Sequence, residues 1–307
     1  MSRILCIIDG MTDPGFSPAD YPALASMRLE GYADTCRGGE PESLGCILHL
    51  LGLERVPRHL RGYAEALGAD VPVGKKDLIL RGSWLGIDRC GRCTVPVMAP
   101  QSVEMPAGCR YIRLAAYQTL IILGNAAGLV DEVVTRPPYE CAGESADGLR
   151  PAGCRQLEEI YKMCRDDSRC LIPWGQSVYA KLPPFPRRAA VITGTTVVKG
   201  IAKLMGMDLI SLTGATGDVD ADLREKYRAA LSSAEKYPFV LLHINGADEA
   251  AHRMDRRQKK DFLLRVDRDV LRPLLRSGHE VIVTADHGTD PASGRHLADP
   301  QPIFVSC

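Results

Sequence analysis

A small set of acidic and imidazole side chains falls where short apolar runs end. Asp9 follows "RILCII", Asp248 and His252 follow "FVLLHING", Asp286 and His287 follow "EVIVTA", and His296 lies farther on in "GRHLADPQP". Carboxylate oxygen mixed with imidazole nitrogen is the donor set of Zn²⁺ or Mn²⁺, whereas Mg²⁺ and Ca²⁺ favour oxygen alone. Asp248 and His252 stand four apart in "DEAAH", so one helical turn brings both onto one face. Asp286 and His287 are adjacent, and at a strand-to-loop turn they reach one site from two directions. Gly288 directly behind them predicts a sharp turn of the backbone. Taken singly, each residue also has a plain structural reading: a strand-end Asp commonly caps a turn, and acidic and His residues are common on a solvated helix face.

What would bring these residues together is the grammar of the surrounding elements. "RILCIIDG", "AAVITG" (189 to 194), "DLISLTG" (208 to 214), "FVLLHING" (239 to 246) and "EVIVTADHG" (280 to 288) are apolar runs that end in glycine, and residues 217 to 236 and 256 to 276 carry helical periodicity. Such alternation predicts an α/β fold with a doubly wound, mostly parallel sheet. Ligands of such sheets gather outside the carboxyl ends of the strands, where the polar residues fall. From 72 to 183 the chain turns rich in Arg, Cys and Pro with short β-like pieces such as "DLILRGSW" and "TLIILG". This predicts a smaller inserted α+β domain, leaving 1–71 and 184–307 as the core. The closely spaced prolines of "KLPPFPRR" (181 to 188) suit a linker at its exit.

Composition narrows the partners. The 38 basic and 38 acidic side chains cancel, so the chain lacks the electrostatic footprint of a nucleic-acid or membrane-surface binder, and a small molecule is the expected partner. No apolar run approaches the roughly 18 residues that span a bilayer, and a soluble, cytoplasmic protein is expected. The 11 cysteines are odd in number and scattered, which favours reduced thiols. Cys90 and Cys93 in "CGRC" have zinc-knuckle spacing, but no second such pair exists to complete a structural site.

The motifs "IIDGM", "DEAAH", "ADHG" and "RHLADPQP", in this order, resemble the metal-ligand motifs of the alkaline phosphatase superfamily, and specifically of the cofactor-independent phosphoglycerate mutases of the archaeal type. The stretch 197 to 231, with its "GATG" turn, and the segments "ESLGCILHLLG" (42 to 52) and "RGYAEALGA" (61 to 69) extend the likeness. The resemblance implies an alkaline phosphatase-like core and two divalent ions, Mn²⁺ foremost with Zn²⁺ or Mg²⁺ as alternatives. Asp9, Ser43, Asp286 and His287 would hold one ion, and Asp248, His252 and His296 the other. Ser43 would be the catalytic nucleophile, passing through a phosphoserine; metal coordination would make its hydroxyl reactive at neutral pH. Without the resemblance Ser43 reads as a helix N-cap. The likeness further points to Arg81 in "LRGSW" and Lys236 in "EKYPFV" as substrate-binding residues. Arg61, Arg110, Arg113 and Arg136 are candidates by composition only and read as solvated surface.

Departures from the family pattern bear on the substrate. The inserted domain is shorter than in the mutases, and "TRPPYECAG" carries Tyr139 and Glu140 where the family shows His and Asp. The leading expectation is a 2,3-bisphosphoglycerate-independent phosphoglycerate mutase interconverting 3- and 2-phosphoglycerate, with domain closure excluding water from the phosphoserine. The alternative keeps the centre and changes the acceptor: a phosphatase, phosphodiesterase or phosphotransferase on another small phosphorylated metabolite. A third reading is a non-catalytic metal- or ligand-binding regulatory protein. The oligomeric state stays open.

Overall fold

The computed structural model of the chain describes residues 2–141, 143–214 and 216–306; Ala215 of the "GATG" turn lies outside them. Two compact units are present, one formed by the residues up to Val56 with those from Leu182 on, the other by Pro57–Lys181.

The first unit is built on a seven-stranded sheet. In spatial order its strands are Arg28–Ala33, Gln301–Val305, Glu280–Thr284, Arg3–Ile8, Phe239–Ile244, Ala189–Ile192 and Asp208–Leu209. The last five pair in parallel, and the first two add an antiparallel edge. The sheet is thus mostly parallel, as the glycine-terminated apolar runs predict. Phe239–Ile244 is buried at every position and Arg3–Ile8 at all but its first, the pattern of strands covered on both faces. Ile4, Val240, Leu242, Phe262, Val266 and Val270 belong to one continuous core, joining the sheet to the helix Arg256–Val266.

Both predicted helical stretches form and start on acidic caps. Asp222 accepts a hydrogen bond from the Glu225 amide at 2.9 Å ahead of Leu223–Ala234, and Asp255 accepts from the Gln258 amide at 2.8 Å ahead of Arg256–Val266. The register aligns the carboxyl ends that matter. Ile8 lies beside Ile244 and Ile7 beside Thr284, so continuing the register puts Asp9, Asn245 and Asp286 at one level of the carboxyl edge.

The second unit holds an antiparallel sheet in which Leu78–Ile87 pairs with Cys93–Pro96, Gln118–Leu123 and Arg169–Ser177, and Cys109–Ala115 pairs with Gln118–Leu123. Helix Arg155–Met163 contributes Leu157 and Ile160 to its core. Helix Arg61–Gly68 belongs here too, which puts the first boundary at 56/57 where the sequence suggested 71/72. Its Gly62 lies so close to the central strand that an added Cβ would stand 2.6 Å from the Ile79 carbonyl oxygen. The second boundary falls at 181/182, at the start of the proline-rich stretch, which forms no helix or strand before Ala189.

Gly62 sets helix propensity against packing. Alanine would gain roughly 1 kcal/mol in helix propensity, but the backbone it presses on cannot yield as a side-chain tip would, and overpacking costs about 1–3 kcal/mol. Gly62→Ala is therefore expected to lower stability by about 1 kcal/mol in urea unfolding; a stabilised variant would refute this reading of the helix.

Candidate metal centre

Asp9 is the residue immediately after strand Arg3–Ile8, and its amide donates to the Ile244 carbonyl at 2.9 Å. Gly10 follows with φ +64°, and an added Cβ would meet Asp248 Cα at 2.8 Å; glycine is needed here both for conformation and for room. Asp248 and His252 lie on the short helix Gly246–His252, and Asp248 Oδ2 is 3.2 Å from His252 Nε2, as the four-residue spacing predicts. Asp286 and His287 follow strand Glu280–Thr284, and His296 comes from a two-residue strand that pairs with Gly288–Thr289.

Gly288 serves a purpose other than the predicted sharp turn. It is not among the glycines with positive φ, and it is close approach that requires it: a Cβ would stand 2.7 Å from Thr12 Oγ1 and 3.1 Å from Thr12 O.

The side chains converge. Donor atoms of Asp248, His252 and His296 lie within 4.8 Å of one another, and so do those of Asp9, Asp248 and His287 and those of Asp9, His243 and Asp286. His252 Nε2 and His296 Nε2 are 3.1 Å apart, and the rings of His287 and His296 stack at 3.9 Å. The far nitrogens are anchored on backbone oxygens: His252 Nδ1 on Gly294 at 2.9 Å, His287 Nδ1 on Gly288 at 3.2 Å and His296 Nδ1 on Pro41. Such contacts fix ring orientation and leave Nε2 for the centre. Ser43 opens helix Ser43–Leu50, but Glu42 occupies the cap position. The Ser43 hydroxyl is instead 3.2 Å from His287 Nε2, so it joins the cluster rather than capping the helix.

Electrostatics at the centre are those of crowded, dry carboxylates. Burial, then the charges of Asp286 and Asp248, hold Asp9 well above the usual carboxylate range. Burial and Asp248 push Asp286 up to about 6. Burial acts upward on Asp248 as well, but His252 and His296 outweigh it and hold that carboxyl well below its ordinary value. Burial lowers His252, yet Asp248 raises it to about 9, while burial and then His287 push His296 down to about 4. Asp9 Oδ1, Asp286 Oδ2 and His243 Nε2 are buried atoms without a hydrogen-bond partner. Unsatisfied acceptors of both kinds, oxygen and nitrogen, suit a divalent cation of the Zn²⁺ or Mn²⁺ class.

One expected site residue stands elsewhere. Lys236 is exposed and lies just before strand Phe239–Ile244, at the amino end of the sheet. A strand of this length rises about 20 Å, which takes Lys236 out of the centre at the carboxyl end. Arg81 lies in the second unit, buried and ion-paired with Glu65, which also pairs with Arg61 at 2.7 Å. Cys93 faces Cys170, with sulfurs 3.8 Å apart, while Cys90 is exposed; among the described residues no candidate metal group contains a cysteine.

Three buried residues were not singled out from the sequence. His243 sits inside strand Phe239–Ile244; a polar residue within an otherwise apolar run was its only signal. Lys226 Nζ donates to the His243 carbonyl at 3.3 Å, and Lys259 Nζ donates to Thr289 O at 2.7 Å and pairs with Asp13 at 2.8 Å. Both lysines sit in amphipathic stretches where a lysine ordinarily faces solvent.

Comparison with known proteins places this geometry in a family. A model of the Metalloenzyme superfamily matches residues 154–306. A 2,3-bisphosphoglycerate-independent phosphoglycerate mutase of Methanothermobacter thermautotrophicus is 36% identical, the match covering 100% of this chain and 89% of that protein. The protein of the same name from Methanopyrus kandleri is 29% identical over 99% of this chain and 87% of its own length. Among solved structures, the PH0037 protein from Pyrococcus horikoshii superimposes with a TM-score of 0.71 at 21% identity, covering 99% of this chain and 87% of that one. The cofactor-independent phosphoglycerate mutase from Thermoplasma acidophilum gives 0.51 at 19% identity, covering 99% and 89%. At these identities the structural matches speak for the fold.

The crowding of carboxylates has a measurable cost. Asp286→Asn removes one buried acid from the cluster, and in the presence of a chelator it is expected to raise stability by on the order of 1 kcal/mol, as relief of a functionally strained site does. Thermal unfolding with added Mn²⁺ should then show a smaller upward shift than the parent protein. A destabilised metal-free variant would contradict the repulsion described.

Proposed function

We propose, from the premise that this chain belongs to the family of 2,3-bisphosphoglycerate-independent phosphoglycerate mutases, that it interconverts 3- and 2-phosphoglycerate through a phosphoserine at Ser43. On this reading Asp9, Ser43, Asp286 and His287 hold one divalent ion, and Asp248, His252 and His296 hold a second, Mn²⁺ being the leading candidate for both. Bound there, the ions supply charge neutralisation for the phosphoryl group and lower the pKa of the serine hydroxyl.

The observation that carries the reading is the position of Ser43 Oγ, 3.2 Å from His287 Nε2 and unused for capping. The phosphorus–oxygen bond to Ser43 forms as the bond to one glycerate oxygen breaks, and the reverse exchange delivers the group to the other oxygen. His252 and His296, anchored through Nδ1 on Gly294 and Pro41, keep their Nε2 atoms turned inward throughout. The second unit is the substrate-handling part in this proposal. Arg81 belongs to its Arg61–Glu65–Arg81 cluster, and the role assigned to it there is to orient the less buried Arg61. The substitutions at Tyr139 and Glu140 make acceptor specificity the point to test.

The direct test is incubation of the Mn²⁺-loaded protein with 3-phosphoglycerate and no bisphosphoglycerate. Formation of 2-phosphoglycerate, with one added phosphate located on Ser43 by mass spectrometry, is the expected outcome. Ser43→Ala should reduce turnover by roughly a thousandfold or more, the scale on which removal of an activated nucleophile acts. Release of inorganic phosphate without isomerisation would favour a phosphatase, and no turnover by the metal-loaded protein would sink the mutase assignment.

Metal binding should also move protons. His252, raised to about 9, is protonated at pH 7 in the metal-free protein and must be neutral to act as a ligand. Titration calorimetry at pH 7 in buffers of different ionisation enthalpy should read release of about one proton or more on Mn²⁺ binding. Below pH 6, protonation of Asp286 should weaken binding further. Buffer-independent enthalpies would rule out His252 as a ligand.

A further inference from the structure

We infer that His243 is itself a ligand of this centre, joining Asp9 and Asp286 through its Nε2 and adding an imidazole nitrogen that the family resemblance does not assign. The inference rests on the metal-centre reading above and extends it by one residue. His243 is completely buried in a strand whose other five members are all apolar, so its polar ring atoms must find partners within the protein. Nδ1 has one: it lies 3.3 Å from Thr193 Oγ1. With the proton on Nδ1 donated to that hydroxyl, Nε2 presents a lone pair, the tautomer that a metal ligand requires.

Nε2 has no such partner. It is 3.3 Å from Asp9 Oδ2 yet makes no hydrogen bond. Two more orphaned atoms belong to Asp9 and Asp286, Oδ1 and Oδ2 respectively, and His243, Asp9 and Asp286 form a group with one donor atom each within 4.8 Å of one another. A buried acceptor left unpaired costs about 1–3 kcal/mol, so three on neighbouring side chains would be a heavy loss if incidental. One cation satisfies all three together. The strand backbone at this position is tied down as well, because fully buried Lys226 donates through Nζ to the carbonyl of His243 at 3.3 Å.

A nitrogen donor here has a chemical consequence. Asp9, Ser43 and Asp286 offer oxygen and His287 one nitrogen; a second imidazole shifts preference further from Mg²⁺ toward Zn²⁺ or Mn²⁺. The test is electron-spin-echo spectroscopy on the Mn²⁺-loaded full-length protein, which counts imidazole nitrogens bound directly to the metal. The parent protein should show four coordinated imidazoles, from His243, His252, His287 and His296, and His243→Gln one fewer, with the preference for Mn²⁺ over Mg²⁺ reduced about tenfold or more, the scale of losing one ligand-shell partner. An unchanged imidazole count in a folded variant would overturn the inference and leave the centre intact, since a merely structural histidine moves affinity without moving that count. If the variant does not fold, the count of four against three in the parent protein decides alone. A parent protein that binds no Mn²⁺ would overturn the inference and the metal-centre reading together.

Discussion

Everything at the candidate centre depends on packing carboxylates against one another where water cannot reach them. Asp9 and Asp286 are 1% and 0% exposed, and Asp248 is 7% exposed. Removing such groups from water costs several kcal/mol each even after relaxation, and like charges at this range add to the cost. The protein answers differently for each acid. Asp248 stays ionised because His252 and His296 face it, whereas Asp9 and Asp286 are driven toward holding their protons. The centre is a place where the fold has left buried carboxyl groups short of partners.

Stiff supports make that tolerable. Parallel strands deliver Asp9 and Asp286 from backbone held in register, and Gly10 and Gly288 let adjacent segments come closer than any side chain would allow. Lys259, almost fully buried, ties the Thr12 and Thr289 segments together through their carbonyls. Thr35 donates its hydroxyl to the Asp286 carbonyl, and Thr289 donates to Asp248 at 2.7 Å. These contacts hold backbone and carboxylates where repulsion would otherwise spread them.

The sheet and the residues at its carboxyl edge were legible because a parallel strand writes itself as an apolar run, and its end as an abrupt polar residue. Asp248 and His252 were legible from a helical spacing. Ser43 was not readable from physics alone: a serine opening a helix looks like a cap, and only its three-dimensional nearness to His287 separates the two roles. His243 was hidden by its surroundings, since a histidine inside a buried strand reads as a core residue until its partners can be seen. Lys236 came from the family likeness alone, and its place just before strand Phe239–Ile244 puts it at the amino end of the sheet, which no motif match could reveal. The helix Arg61–Gly68 falls in the second unit although its pattern fits either core, because the contact that decides, Gly62 on Ile79, is a matter of tertiary packing rather than of local pattern.

The residues that meet at the centre are drawn from far-separated stretches of chain, beginning at Asp9 and ending at His296. During synthesis, the first strand emerges with its acid long before the segments bearing Asp248, Asp286 and His296 exist. An early chain therefore offers only isolated ligands, each too weak to capture an ion, because closing such long loops costs entropy that a single contact cannot offset. On the proposed metal-binding reading, loading would wait until the segment bearing His296 has joined the closed sheet, and the finished geometry would choose the ion.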